Sequence, residues 1–400
     1  MKTNWEIKTL SGVGKIFSGN SINAKVKKEK YFNLNEGTPY IATKDISYDY
    51  EVNYNNKIKI PKKDLDNFRL AHKNSIFICA EGGSAGRKLA FNTQEVCFVN
   101  KLFVIEPFDF VEPRFIYYFY QTPIFKSRFK SQLTGLIGGV SIGKFRNLEI
   151  SIPSLSEQKE IVKILDKTFE NISKAKKNAE DNLKNAKEVL DSYLESVFSN
   201  PGDDWEEKKL GDIAKVEYGF TGKAKAKGDF RYVRITDIDN NGLLIPNNKV
   251  YLEKSKEAEK FILLDKDLVM ARTGATYAKV LFYENIEPSL FASYLIRIKF
   301  KEDILNKLYW YFSKSRNYWS QANSLSSGSA QPHFNGAALK EVIFSYPKSI
   351  SEQKAIISKL DALSKEIKSL ESIYEQKIED LEELKKSILK KAFKGELIKK

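Results

Sequence analysis

Cysteine and histidine are almost missing from these 400 residues: Cys79 and Cys97, His72 and His333, and no others. Two of each without metal-ligand spacing argue against a structural zinc site. The same scarcity leaves little material for imidazole acid–base chemistry. Both cysteines sit in apolar, strand-like runs with no disulfide framework around them. Buried free thiols are therefore expected, with a single Cys79–Cys97 bond left open. Long apolar runs are absent too. The longest, such as residues 76–80, fall far short of the roughly 20 residues of a membrane span. The opening Met1-Lys-Thr-Asn-Trp5 has no signal-peptide core. The expectation is a cytoplasmic chain with no membrane partner, long enough for two domains of roughly 150 residues plus connecting structure.

Charge is what the chain has in excess. The net charge is +14, which points to a polyanion, nucleic acid being the commonest. Its placement says more than its total, and it follows an internal duplication. Trp5-Glu6-Ile7-Lys8-Thr9-Leu10 returns as Trp205-Glu206-Glu207-Lys208-Lys209-Leu210. The segment from Tyr40 to Ile46 resembles that from Tyr232 to Ile238, and the apolar run into Gly82 resembles the run into Gly274. Ser156-Glu157-Gln158-Lys159 returns as Ser351-Glu352-Gln353-Lys354, and Leu165-Asp166 and Phe198 as Leu360-Asp361 and Phe393. An ordered series of this kind is a domain duplication; its period is far too long for a solenoid.

Each copy ends in a helix. Residues 156–198 and 351–394 contain neither Gly nor Pro and are rich in Lys, Glu, Leu and Ala, which are good helix formers. Ser-x-x-Glu at 154–157 and 349–352 has capping-box spacing. Inward positions step by four and three, through Ile161, Leu165, Thr168, Ile172, Ala175, Ala179, Asn182, Ala186, Val189 and Tyr193 in the first helix. Ile356, Leu360, Leu363, Ile367, Leu370, Tyr374, Lys377, Leu381, Leu384 and Ile388 follow the same step in the second. That 3.5-residue period over several heptads predicts a coiled coil. A pseudo-two-fold relation would make it antiparallel, with a globular domain at each end. The helical stretches together carry a net charge of +1, residues 1–155 carry +9 and residues 201–350 carry +4. The helices read as solvated spacers and the globular halves as the anion-binding parts.

Each half mixes β-branched and aromatic runs with shorter helical stretches, so each domain is expected to be α+β. Strands are predicted at 39–46, 75–80, 101–105, 148–152, 231–237, 267–271, 294–299 and 341–345, and helices at 112–121 and 301–313. A small-residue loop ending in a base follows one strand in each copy, at 81–88 and 272–279. Glycines let backbone amides approach an anion, and Ser84, Arg87, Lys88, Arg272, Thr273, Thr276 and Lys279 are types that contact phosphates and base edges. A plain turn with a solvated cation remains the alternative. Thr43, Lys44, Arg234 and Thr236 join the candidates at the ends of the predicted strands. A second glycine or polar segment before each long helix adds Lys144, Arg146, Gln331, His333 and Asn335. Gly138-x4-Gly143-Lys144 falls short of a P-loop because Phe145 stands where Ser or Thr is required. His333 has no recurring carboxylate or second histidine, and no methyl-transfer or nuclease motif is found. No catalytic residue and no metal ligand is assigned.

Trp-Glu-x-x-x-Leu openings, Ser-Glu-Gln-Lys entries into long helices and the terminal Ala392-Phe393-Lys394-Gly395-Glu396-Leu397 together resemble the specificity subunit of type I restriction–modification systems, over the whole chain. The resemblance implies target-recognition domains at 1–153 and 201–348, each reading half of a bipartite double-stranded DNA site, and spacer helices at 154–200 and 349–400. It implies two methyltransferase subunits docked on those helices, with motor–nuclease subunits as further partners. S-adenosylmethionine, ATP and Mg²⁺ would then sit on the partners, with no cofactor in this chain. Two other readings compete. A self-contained DNA-modifying enzyme would act without partners; a structural coiled-coil adaptor would not bind duplex DNA.

Overall fold

A computed structural model describes residues 5–135, 138–284, 287–328 and 332–398. The chain forms two compact units, Met1–Ala179 with Gln376–Lys400, and Glu180–Glu375. In the first, Gly14–Ser18, Leu102–Pro107, Ile76–Cys79 and Leu89–Phe91 make an antiparallel four-stranded sheet. Lys59–Ile60, Thr38–Ile41, Val96–Phe98 and Leu70–Ala71 make another, in which Thr38–Ile41 runs parallel to Val96–Phe98. Glu6–Thr9 pairs with Glu149–Ile152 beside the entry to the first long helix. The second unit repeats the plan, with Leu268–Ala271 inside the sheet Ala214–Tyr218, Leu295–Phe300, Leu268–Ala271, Val280–Phe282.

Alternation along one strand explains why residues 76–79 are apolar throughout. Successive strand side chains point to opposite faces. Ile76 and Ile78 enter one core cluster, and Phe77 and Cys79 enter another. Leu268 and Met270 are split from Val269 and Ala271 in the same way. Both cysteines are buried free thiols, and burial pushes the Cys97 thiol up to about 12.

Two predicted strands end early. Thr38–Ile41 and Phe230–Val233 give way to 3₁₀ turns at Thr43–Asp45 and Ile235–Asp237. The cause is a local side chain. Asp45 Oδ2 accepts from the Ala42 amide at 2.8 Å, and Asp237 Oδ2 accepts from the Arg234 amide at 2.9 Å, giving the backbone an alternative to the ladder. The helix expected from residue 301 starts only at Asn306, because the backbone before it is held elsewhere.

The holder is Gln353, which is fully buried. Its Oε1 accepts from the Leu305 amide at 2.8 Å, and its Nε2 donates to the Asp303 and Pro347 carbonyls at 3.0 and 2.9 Å. Gln158 does the same in the first unit, with Glu112, Phe110 and Pro153. At the first helix Ser154 Oγ accepts from the Glu157 amide at 3.3 Å, the serine half of the expected capping box, while the glutamate carboxylates turn to other partners. Glu157 accepts from the Trp5 indole at 3.0 Å and Glu352 from the Trp205 indole at 2.9 Å. Asp166 takes the Tyr118 hydroxyl and the Arg114 guanidinium; Asp361 takes the Tyr311 hydroxyl and the Lys307 ammonium. These contacts account for the recurring Trp, Glu-Gln and Leu-Asp: they weld a helix start to a domain. Gln353→Leu leaves one donor and two acceptors unpaired in the interior, at a cost of about 3 kcal/mol or more. Hydrogen exchange at the Leu305 amide should accelerate accordingly, while the same amides in the first unit stay protected. An effect under about 1 kcal/mol would contradict this anchoring role.

The long helices, Leu155–Ser199 and Ile350–Ala392, pair antiparallel inside each unit. In the first, Ile161 and Leu165 share a cluster with Leu389 and Phe393, Lys385 lies over the Phe169 ring, and Lys176 meets Glu382 at 2.6 Å. Phe393 packs on Phe115 and Phe119. In the second, Leu190, Leu194 and Phe198 share a cluster with Ile356 and Leu360, and Lys187 faces Glu371. Four predicted seam positions are wrong. Asn182, Val189, Lys377 and Leu384 are exposed, and Leu183, Leu190, Ile378 and Lys385 are covered instead, one place along. A 3.6-residue turn drifts out of a strict 3.5 repeat over successive heptads. No described helix is long and apolar enough to cross a membrane.

Candidate nucleic-acid interface

In each unit the fold brings three loops together. Unit 1 contributes the turn Thr43–Asp45, the glycine loop containing Gly82–Ser84, and the residues Gly138 and Gly139, Gly139 being bridged to Thr134. The glycine loop is tied to the third segment by the Gly82 amide donating to the Gly138 carbonyl at 2.8 Å and by a bridge between Glu81 and Gly139. It is tied to the first by Lys88 Nζ, which donates to the Thr43 carbonyl at 3.3 Å. Unit 2 has the same two ties built from different residues. Thr273 bridges His333, and Thr276 Oγ1 donates to the Ile235 carbonyl at 3.0 Å. Ile235 is the counterpart of Thr43 in the repeat.

Glycine is required where these loops turn. Gly82 and Gly274 both take φ +81, a left-handed conformation costly to any side chain. Nothing lies within 4 Å of where a Gly82 side chain would be, so the backbone there is open to a ligand.

Cations and aromatics cover this face in unit 1. Arg87 and Lys88 each lie 5.0 Å from the centre of the Tyr48 ring, which is half exposed. Ser84 Oγ is 3.4 Å from the Tyr48 hydroxyl. Lys126 donates to the Tyr50 hydroxyl at 3.1 Å. Tyr48, Tyr50, Arg87, Lys126 and Lys130 line a groove of about 540 Å³ floored by Gly82 and Gly83, and none of the described lining residues is acidic. Lys44 is exposed at the edge of the turn. Lys144 and Arg146 stand apart on the short helix Ile142–Arg146, where both are exposed. Arg146 donates to the Ile16 carbonyl at 2.7 Å, which fixes it to a strand.

Unit 2 sorts its candidates differently. Arg234 makes a two-pronged contact with buried Asp237, at 2.9 and 3.2 Å, and that carboxylate raises the guanidinium pKa above its ordinary value. Its charge is neutralised inside the protein. Thr236 is exposed beside it. Lys279 donates to Asn240 at 2.6 Å, the unit 2 form of the Arg87–Tyr48 contact. Thr273 is buried. Asn335 caps the helix Gly336–Lys340 by accepting from the Ala337 and Ala338 amides at 3.0 Å. His333 is exposed, and Gln331 lies outside the described residues. Arg272 has its guanidinium 4.9 Å from the Tyr294 ring and 5.5 Å from the Tyr218 ring.

Sequence reading missed the aromatic partners: Tyr48, Tyr50, Tyr218 and Tyr294. The available signal was tyrosine in or beside polar turns, where nothing in the pattern calls for core. It also missed Lys314, which lines a cavity of about 240 Å³ with Lys279 and Lys368. Burial above all, and then the nearby Lys368 charge, pull the Lys314 pKa down to about 7. Among the described residues no group of three His, Cys, Asp or Glu side chains could hold a metal ion.

Residues 2–182 and 202–380 match the type I restriction modification DNA specificity domain, once in each copy of the duplication. The chain belongs to this family. Among relatives, it is 25% identical over 428 residues to the type I restriction enzyme MjaVIII specificity subunit of Methanocaldococcus jannaschii, covering 98% of this chain and 93% of that protein. It is 24% identical over 337 residues to the StySPI specificity subunit of Salmonella potsdam, covering 79% of this chain and 72% of that one. The type I specificity fold is shared with the HsdS subunit from Thermoanaerobacter tengcongensis, with TM-score 0.64 and 16% identity, covering 99% of this chain and 98% of that one. A chain from a structure of a type I restriction–modification system, solved for its complex assembly and conformational transition, gives TM-score 0.79 at 14% identity over 98% of both.

Proposed function

We propose that each unit of this chain reads one half of a bipartite, asymmetric DNA site for a type I restriction–modification complex. The chain is the DNA-specificity component of such a system and works with DNA and the other subunits. In this reading the paired helices set the gap between half-sites and dock two methyltransferase subunits, and motor–nuclease subunits complete the assembly. The work is cytoplasmic. S-adenosylmethionine, ATP and Mg²⁺ are assigned to the partners, and this chain contributes placement only.

One observation carries the reading: the same frame is built twice while the loops it presents differ in chemistry. The anchoring Trp, Glu, Gln and Asp recur, yet Arg87 on Tyr48 becomes Lys279 on Asn240, and Glu81 becomes Thr273. A repeated frame with divergent loops suits two different half-sites. The positive charge on the globular halves suits the phosphate contacts that orient a reader on duplex DNA without specifying sequence.

The test is to map methylated adenines in DNA modified by this chain with methyltransferase subunits. A single motif of two unlike half-sites separated by unspecified bases is expected. Binding of that DNA should weaken steeply with salt, since each neutralised phosphate adds about one unit to the log–log slope. A continuous short motif, or methylation by this chain alone, would overturn the proposal.

A further inference from the structure

Arg234 and Arg272 are indistinguishable as sequence candidates, and the structure separates them by what each guanidinium touches. Arg234 is locked to Asp237 and also donates to the Asn248 carbonyl at 3.3 Å. Arg272 has no carboxylate partner among the described residues and lies against the two tyrosine rings. Tyr218 is 44% exposed and Tyr294 is 51% exposed, so neither ring is there to fill the core. Tyr218 is itself fixed, its hydroxyl accepting from the Gly336 amide at 2.9 Å.

The backbone of Arg272 is equally constrained. Its amide donates to the Tyr294 carbonyl at 3.0 Å and its carbonyl accepts from the Phe334 amide at 2.8 Å. It stands at the end of Leu268–Ala271, immediately before Thr273 and the left-handed Gly274. A planar cation held by aromatic faces loses little rotamer freedom when it binds. A diffuse phosphate charge does not require that; a flexible lysine serves it. A preset guanidinium fork matches the paired O6 and N7 acceptors of guanine in the major groove.

We propose that Arg272 reads a guanine in the half-site of unit 2, with Tyr218 and Tyr294 as the residues that position it. This rests on unit 2 being a DNA-reading head and adds the base that it reads. Unit 1 has Ala80 at the equivalent place, so the two half-sites are read by different chemistry at this point.

The experiment uses the complex of this chain with its methyltransferase subunits and DNA carrying the motif mapped for the unaltered complex. Arg272→Ala and Arg272→Lys should each lower the preference for one guanine of the unit 2 half-site by roughly 5- to 150-fold, the range expected when a two-pronged contact is lost. The other half-site should be unchanged. Replacing N7 of that guanine by carbon should weaken binding of the unaltered complex and have no additional effect in Arg272→Ala. Tyr294→Leu, which keeps the charge and loosens the clamp, should relax the same position partially. Uniform weakening across all sequences, or full discrimination retained by Arg272→Lys, would make Arg272 a phosphate contact and overturn the proposal. If Arg272→Ala lowers the melting temperature, Arg272→Lys and the modified guanine decide the matter on folded protein. Absence of any bipartite motif in the unaltered complex would instead defeat the DNA-reading role itself.

Discussion

Removing one heptad from each long helix, at facing positions between the anchored starts, should yield a complex whose half-sites are unchanged and whose gap is shorter by about three base pairs. Seven residues at 1.5 Å each remove ~10.5 Å of helix, and duplex DNA rises about 3.4 Å per base pair. A heptad keeps the seam nearly in phase, so the antiparallel pairing seen at Lys176–Glu382 and Lys187–Glu371 survives. A four-residue deletion would rotate the seam by about 40° and expose Ala179 or Leu360 to water. On the original spacing, the shortened complex must strain the DNA or give up contacts. DNA deformation costs on the order of 1–6 kcal/mol, so methylation there should fall at least about fivefold. The measurement is a motif map of the shortened complex. An unchanged gap would mean that the helices do not act as the ruler.

The frame was legible in the sequence because its parts recur. Trp5 and Trp205, Gln158 and Gln353, and Asp166 and Asp361 each perform one task twice, so the repeat exposed them before their contacts were known. Helix existence was legible for the same reason, since 45 and 43 residues without Gly or Pro admit few other conformations. Seam positions were not, because the drift of a real helix accumulates over heptads and moves the covered side from Asn182 to Leu183. The loops were harder still. Thr276 finds its partner 41 residues away and Lys88 finds Thr43 at a separation of 45, distances over which composition says nothing. Arg234 and Arg272 show the consequence. Both follow a buried strand and precede a polar turn, and only the position of Asp237 makes one a structural ion pair and leaves the other available.

Short strands were overextended where an aspartate three residues on captured the backbone. That is a side-chain effect visible as a motif, Ala42 to Asp45 and Arg234 to Asp237, once the turn is known. It matters for function because the 3₁₀ turn places the Thr43 and Ile235 carbonyls where the glycine loop can reach them. The loops are thereby braced from below by the frame, while Tyr48, Arg87, Arg272 and Tyr294 keep exposed surface above it.

The most direct test of one chain reading two independent half-sites is an exchange of one reading head. Residues 205–347, from the first anchoring strand of unit 2 through the last, would be replaced by the matching segment of a relative with a different motif, keeping both long helices and the Gln353 anchor. Motif mapping of the hybrid complex should then return the unit 1 half-site and the gap unaltered, with the donor's bases in the other half-site. A change in both half-sites, or none in either, would contradict the account.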